Sequence, residues 1–181
     1  MKRYQIAILS FAVGILTSTY FGIHFLGKIN DLVANFRETS VQVEYNTVKI
    51  FLLNKIKDPD TLYCDQTYPV ERAVSRFSDN RKSYLGEYTY LALAELLKGP
   101  MGNEKERGYF SSINEGTKTQ KIIIEDGVAR VDFNQKLNEG VAGSCKVQAI
   151  RSQITETLKQ FPEIKEVVIS VNGESETILQ P

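Results

Sequence analysis

The dipeptide Asp126-Gly127 sits in the middle of residues 120–133, QKIIIEDGVARVDF. Between two apolar-rich runs, Asp-Gly marks a two-residue type I′ turn, because both central positions need positive φ. That turn fixes a register. Ile124 should face Ala129, Ile122 should face Val131, and Gln120 should face Phe133. On the other side Lys121 should oppose Asp132. One face is then apolar and the other carries an opposite-charge pair, so turn chemistry and strand pattern agree. A hairpin with one apolar face has to be covered, and the rest of the chain supplies the cover.

Residues 84–98 (YLGEYTYLALAELLK) predict a helix. Tyr90, Leu93, Ala94 and Leu97 form its stripe, widened by Leu91 and Leu96. Lys98 favours the last turn, and Gly99-Pro100 stops it. A second helix is expected from an N-cap at Ser144, with Val147, Ile150, Ile154, Leu158 and Phe161 facing inward and Pro162 ending it. Strands are expected at residues 47–53 (TVKIFLL), with Val48, Ile50 and Leu52 on one face, and at 164–171 (IKEVVISV), followed by an Asn172-Gly173 turn. Residues 70–77 (VERAVSRF) read as a charged, half-exposed edge strand. Residues 101–119 read as a long connection. The order is β-β-α-β-β-α-β. The expected fold class is α+β, one mixed sheet with two helices on one face.

Ahead of this domain, Gln5 to Leu26 (QIAILSFAVGILTSTYFGIHFL) carries no formal charge when His24 is neutral. About 20 apolar residues span a bilayer core, so the run fits one transmembrane helix. Lys2 and Arg3 favour a cytoplasmic N-terminus. A cleaved signal peptide is the rival reading, but the run is long for one and no A-x-A site follows. An N-terminal lipid anchor would need a nearby cysteine, and the first is Cys64. Ile29, Leu32, Val33 and Phe36 then mark two amphipathic turns of stalk. The expected division is 1–27 as cytoplasmic tip and anchor, 28–46 as stalk, and 47–181 as the extracytoplasmic domain.

From residue 47 onward, 18 Lys and Arg stand against 19 Asp and Glu. No basic footprint for nucleic acid exists, and none is expected as a partner. The G-x-x-G at Gly99–Gly102 is better explained as the helix stop than as a backbone clamp. No His/Cys cluster has metal spacing, and Asp58-Pro59-Asp60 lacks the Gly and Glu of a calcium loop. No cofactor is expected. Glu87, Glu95, Glu115 and Asp132 do not assemble into an acid–base pair on any pattern the sequence shows, so no enzyme is expected.

Cys64 and Cys145 are the two cysteines of the chain. Outside the cytoplasm they are expected to form a disulfide. The alternatives are two buried thiols, or an activated thiol at the start of the second helix, which would lack a histidine base.

Five stretches in order resemble the GerMN domain of spore germination and sporulation proteins. They are VKIFLL, ALAELLKGP, YFSSINEGTK, IIIEDGVARVDF and QITETLKQFPEIKEVVISVNG, together spanning residues 47–173. The resemblance implies a membrane-tethered extracytoplasmic module acting through protein contacts. It also implies likeness to small α+β modules that build rings in secretion-like complexes. Some members carry two such domains and a lipoprotein signal; this chain shows one domain and no lipobox cysteine. The expected partner is another envelope protein or a second copy. Candidate contact residues are Arg72 and Arg76 on the charged strand, and Arg107, Tyr109 and Phe110 on the connection. The alternative is an envelope glycan- or small-ligand-binding domain using Tyr68, Tyr84, Tyr88 and Tyr109.

Overall fold

The computed structural model describes residues 43–59, 63–77 and 84–180, all within the compact unit Val43–Pro181. The expected anchor and nearly all of the stalk lie outside the described residues. Among the described residues, no helix is long and apolar enough to cross a membrane.

The fold is α+β. Strand β1 (Val43–Asn54) pairs antiparallel with β2 (Tyr68–Phe77) along ten residue pairs, from Val43↔Phe77 to Leu52↔Tyr68. Helix α1 (Tyr84–Leu97) follows, then a one-turn helix α2 (Asn103–Glu106) and a two-residue strand β3 (Tyr109–Phe110). The hairpin is β4 (Thr119–Glu125) and β5 (Val128–Phe133). A 3₁₀ turn, Gln135–Leu137, leads toward helix α3 (Ser144–Lys159) and the last strand β6 (Glu166–Val171).

The described strands form two three-stranded sheets rather than one. The first runs β2-β1-β3 and is antiparallel. The second runs β4-β5-β6 and is mixed, with β5 and β6 parallel. The reason the sheets stay apart is visible at the edge of β1. From Lys49 to Phe51 that edge is occupied by side chains of α3 and of Gln160, which caps its C-terminus. Gln160 accepts from Lys49 N–H through Oε1 at 2.8 Å and donates to the Lys49 carbonyl through Nε2 at 2.6 Å. Thr157 Oγ1 accepts from Phe51 N–H at 3.1 Å, and Gln153 Nε2 donates to the Phe51 carbonyl at 3.4 Å. Farther on, Leu53 and Asn54 pair with Phe110 and Tyr109 of β3. From Lys49 to Asn54 the outer ladder groups of β1 are thus satisfied without a strand from the second sheet, as buried backbone must be.

The hairpin forms as its turn chemistry requires, with Asp126 at φ 52° and Gly127 at φ 80°. Ile124↔Ala129, Ile122↔Val131 and Lys121↔Asp132 pair as expected, but Thr119, not Gln120, faces Phe133. The ladder shifts between Thr119 and Lys121, so Gln120 is the extra residue of a bulge.

Ile50, Leu52, Leu93, Leu96, Val131, Phe133, Ile150, Ile154 and Leu158 anchor the main core. Two expectations about helices shift. The buried face of α1 is Thr89, Ala92, Leu93 and Leu96, while Tyr90 is 54% exposed. The helix can bury Thr89 because its hydroxyl donates to the Leu85 carbonyl at 2.6 Å. Ser144 is the first residue of α3 rather than its cap. Gly143, at φ 88°, holds the N-cap position and supplies no side-chain bond. The chain end also packs: Ile178 and Leu179 are buried, with Leu179 N–H donating to Asn138 Oδ1 at 2.9 Å.

Candidate functional site

Residues expected at an interaction surface fall in three different settings. Arg72 is not on the surface. It alternates with Val70 and Val74 on the inward face of β2 and is 7% exposed. Its guanidinium forks onto the carboxylate of Glu104 in α2, with Nη1 donating to Oε1 and Nη2 to Oε2 at 2.6 Å. Nη2 also donates to the Gly99 carbonyl at 3.2 Å, and Nε lies 3.7 Å from Glu95 Oε2. Glu104 accepts from Met101 N–H at 2.8 Å as well. The hydrogen bonds from Arg72 hold the Glu104 carboxyl below the usual carboxylate range, against the opposing pull of burial. The same pair pushes the Arg72 pKa up. Arg72 therefore pins the segment between α1 and β3 onto β2, and cannot serve a partner. Arg76 lies farther along β2, opposite Glu44, and its side chain is outside what is described.

Arg107 and Tyr109 come together with Lys57 and Tyr68 at the end of the first sheet. The Lys57 ammonium sits 4.6 Å from the Tyr68 ring centre and 5.8 Å from that of Tyr109. The Arg107 guanidinium lies 5.5 Å from the Tyr109 ring centre. These distances are those of cation–π contacts. Two of the four tyrosines that were candidates for stacking on a sugar, Tyr68 and Tyr109, offer ring faces to the protein's own cations. The cluster is held from beneath by Asn54, which is buried. Its Nδ2 donates to the Arg107 carbonyl at 3.0 Å, and its Oδ1 accepts from Ile56 and Lys57 N–H at 2.9 and 3.1 Å.

Phe110 instead lines a cavity of about 520 Å³. Part of its lining is Leu53 and Asn54 of β1, with Asp58, Tyr63, Cys64 and Gln66 of the loop that follows. The rest of the lining includes the start of α3 and the residues leading into it, from Ala142 to Lys146, with Ala149. The two segments are joined covalently. Cys64 and Cys145 form a disulfide with Cα atoms 5.0 Å apart, closing a separation of 81 residues. Among the alternatives the sequence left open, the bridge is the one found. Cys145 is exposed and Cys64 half-buried. Ser152 Oγ adds a tie, donating to the Asp65 carbonyl at 2.5 Å.

The carboxylates considered for acid–base work do structural work where the contacts are described. Glu95 pairs with Lys98 and approaches Arg72. Asp132 Oδ1 accepts from Ser170 Oγ at 2.6 Å and from Gly173 N–H at 2.8 Å, fixing the Asn172-Gly173 turn.

Sequence reasoning missed Gln153, Thr157 and Gln160 as the residues that cap β1. Their signal is a polar stripe at i, i+4 and i+7 beside the apolar one. It missed Glu104 because its partner lies 32 residues away on a strand.

Residues 57–177 match the model of the family Germane, described as sporulation and spore germination. The chain is 33% identical over 90 residues to the spore germination protein GerM of Bacillus subtilis (strain 168), covering 48% of this chain and 24% of that protein. It thus spans about a quarter of the length of that relative. The solved tandem GerMN domains of the sporulation protein GerM from Bacillus subtilis superpose with a TM-score of 0.52 at 26% identity, covering 74% of this chain and 41% of that one.

Proposed function

The chain belongs to the Germane family of sporulation and spore germination, and from its GerMN-type domain we propose a membrane-anchored, non-enzymatic assembly module of the cell envelope. In this reading the apolar run Gln5–Leu26 holds the protein in the membrane, with Lys2 and Arg3 on the cytoplasmic side. The domain then lies outside, a compartment in which the Cys64–Cys145 bridge persists.

The observation that carries the reading is the state of β2. It is ten residues long, and among the described residues it pairs only with β1. An edge strand of that length offers backbone donors and acceptors to an incoming strand. Its outward residues Glu71, Ala73 and Ser75 are exposed and small or charged, so they neither block an approaching strand nor bury an apolar patch in its absence. The partner is another envelope protein or a second copy of this chain.

The test is photo-crosslinking in cells from positions 71, 73 and 75, with position 163, in the exposed turn after α3, as control. Capture of one protein, or of a second copy, from the strand positions and not from the control supports assembly through β2. Capture of glycan alone, or equal capture from the control, overturns it.

A further inference from the structure

The Cys64–Cys145 bridge has three properties that a purely structural disulfide does not need together. One sulfur belongs to an exposed residue. Both cysteines line a cavity of about 520 Å³, the size range of small-molecule sites. And the two sulfurs have unequal surroundings: Cys145 is the second residue of the 16-residue helix α3, whereas Cys64 sits on a loop. The N-cap of α3 is a glycine, which offers no side-chain bond to the first-turn N–H groups. A helix start of this kind stabilises a thiolate and lowers the pKa of its thiol. In thiol–disulfide exchange the sulfur that leaves fastest is the one whose thiol has the lower pKa.

We propose that this bridge is a thiol-exchange site for a low-molecular-weight thiol, which is attacked at Cys64 and releases Cys145. The incoming thiolate enters the cavity and bonds to Cys64 Sγ. The bond between the two protein sulfurs breaks, and its electron pair leaves on Cys145 Sγ as thiolate at the start of α3. A second molecule of the thiol then attacks the small-molecule sulfur of the mixed disulfide. That step frees Cys64 and yields the oxidised dimer of the small thiol. Two thiols are oxidised, the protein disulfide is reduced to two thiols, and the protons of the small thiols end on the protein cysteines or in solvent. Exchange changes the cavity, because the bridge joins two segments of its lining. The Ser152–Asp65 hydrogen bond remains as a tie between them.

The test uses the full chain in mild detergent without denaturant, with reduced glutathione as the probe. Exchange is quenched by alkylation, and peptides are mapped by mass spectrometry. The expected product is a glutathione adduct on Cys64 with an alkylated Cys145, formed while the circular dichroism stays native. An adduct on Cys145, an even split between the two, or opening only after denaturant is added overturns the proposal. A second measurement compares single-thiol chains. The pH midpoint for alkylation of Cys145 in Cys64→Ser should lie about one unit or more below that of Cys64 in Cys145→Ser. Midpoints that coincide, or that fall in the reverse order, also overturn it. The wild-type measurement decides by itself if either variant fails to fold.

Discussion

Replacing Glu104 by Gln isolates the buried ion pair with little change of shape. The carboxylate is nearly enclosed, takes both Nη groups of Arg72, and accepts from Met101 N–H. The amide can still accept one of these bonds but no longer neutralises the guanidinium. Removing one partner of a buried pair costs about 3–5 kcal/mol, because the other charge is left uncompensated. Glu95 Oε2, at 3.7 Å from Arg72 Nε, offsets part of that. The expected loss is therefore about 2–3 kcal/mol at neutral pH. The sign of the pH dependence follows from the depressed Glu104 pKa. A carboxyl whose folded pKa lies below its unfolded value of about 4.3 contributes stability that is full above that value. The contribution is lost as pH falls from there through the folded pKa. Urea unfolding of the full chain, followed by circular dichroism between pH 3 and 8, reads this directly. The gap between wild type and Glu104→Gln should be constant above about pH 5.5 and narrow below about pH 4. A gap under about 0.5 kcal/mol at pH 7 would falsify the assignment of Arg72 to a buried anchoring role. A gap that persists undiminished at the lowest pH would show that shape, not charge, is what Gln disturbs.

Gln153→Leu should cost about 1–3 kcal/mol in the same unfolding assay, since it strands the Phe51 carbonyl and Ser112 N–H. Hydrogen exchange should rise at Ser112, whereas a loss under about 0.5 kcal/mol would mean that water takes over these bonds at no cost. Gly108→Ala should cost about 1–2 kcal/mol or more, because φ is +84° and a Cβ would lie 2.7 Å from Ile56 Cγ1 and 3.0 Å from Asn54 Oδ1. Adding Ile56→Ala should recover the steric part only; full recovery would mean the backbone conformation carries no strain. The double variant Cys64→Ser/Cys145→Ser should unfold about 4.5 kcal/mol more easily by the chain-entropy estimate for its 81-residue separation, and an unchanged urea midpoint would show that the unfolded chain is not what the bridge restrains.

Local chemistry was legible and long-range pairing was not. The Asp126-Gly127 hairpin could be read to the residue, because turn type and alternation constrain it together. It failed only at Gln120, where a bulge shifts the ladder so that Thr119 faces Phe133, and no pattern announces it. The buried face of α1 was read one residue out of place. Tyr90 looks apolar to a periodicity argument, yet Thr89 goes inside because a helix supplies its hydroxyl with an acceptor. Strand β3 has two residues and no period to detect. Arg72 carried a signal that its charge obscured: alternation with Val70 and Val74 places it inward. What the sequence could not show was Glu104 waiting there. The disulfide was the one long-range contact within reach, since only two cysteines were available to pair.

The amide of Gln160 imitates a peptide unit against Lys49, giving and taking one bond each. With Thr157 and Gln153 beside it and β3 beyond, one flank of the first sheet is spent between Lys49 and Asn54. Growth of that sheet through β2 is then one-sided. Two receptive flanks of the same kind meet about a two-fold axis, and the meeting uses up both. In the proposed assembly through β2, the sheet would close a pair or receive a single foreign strand, since a fibre would need the flank from Lys49 to Asn54 that Gln160, Thr157, Gln153 and β3 already fill.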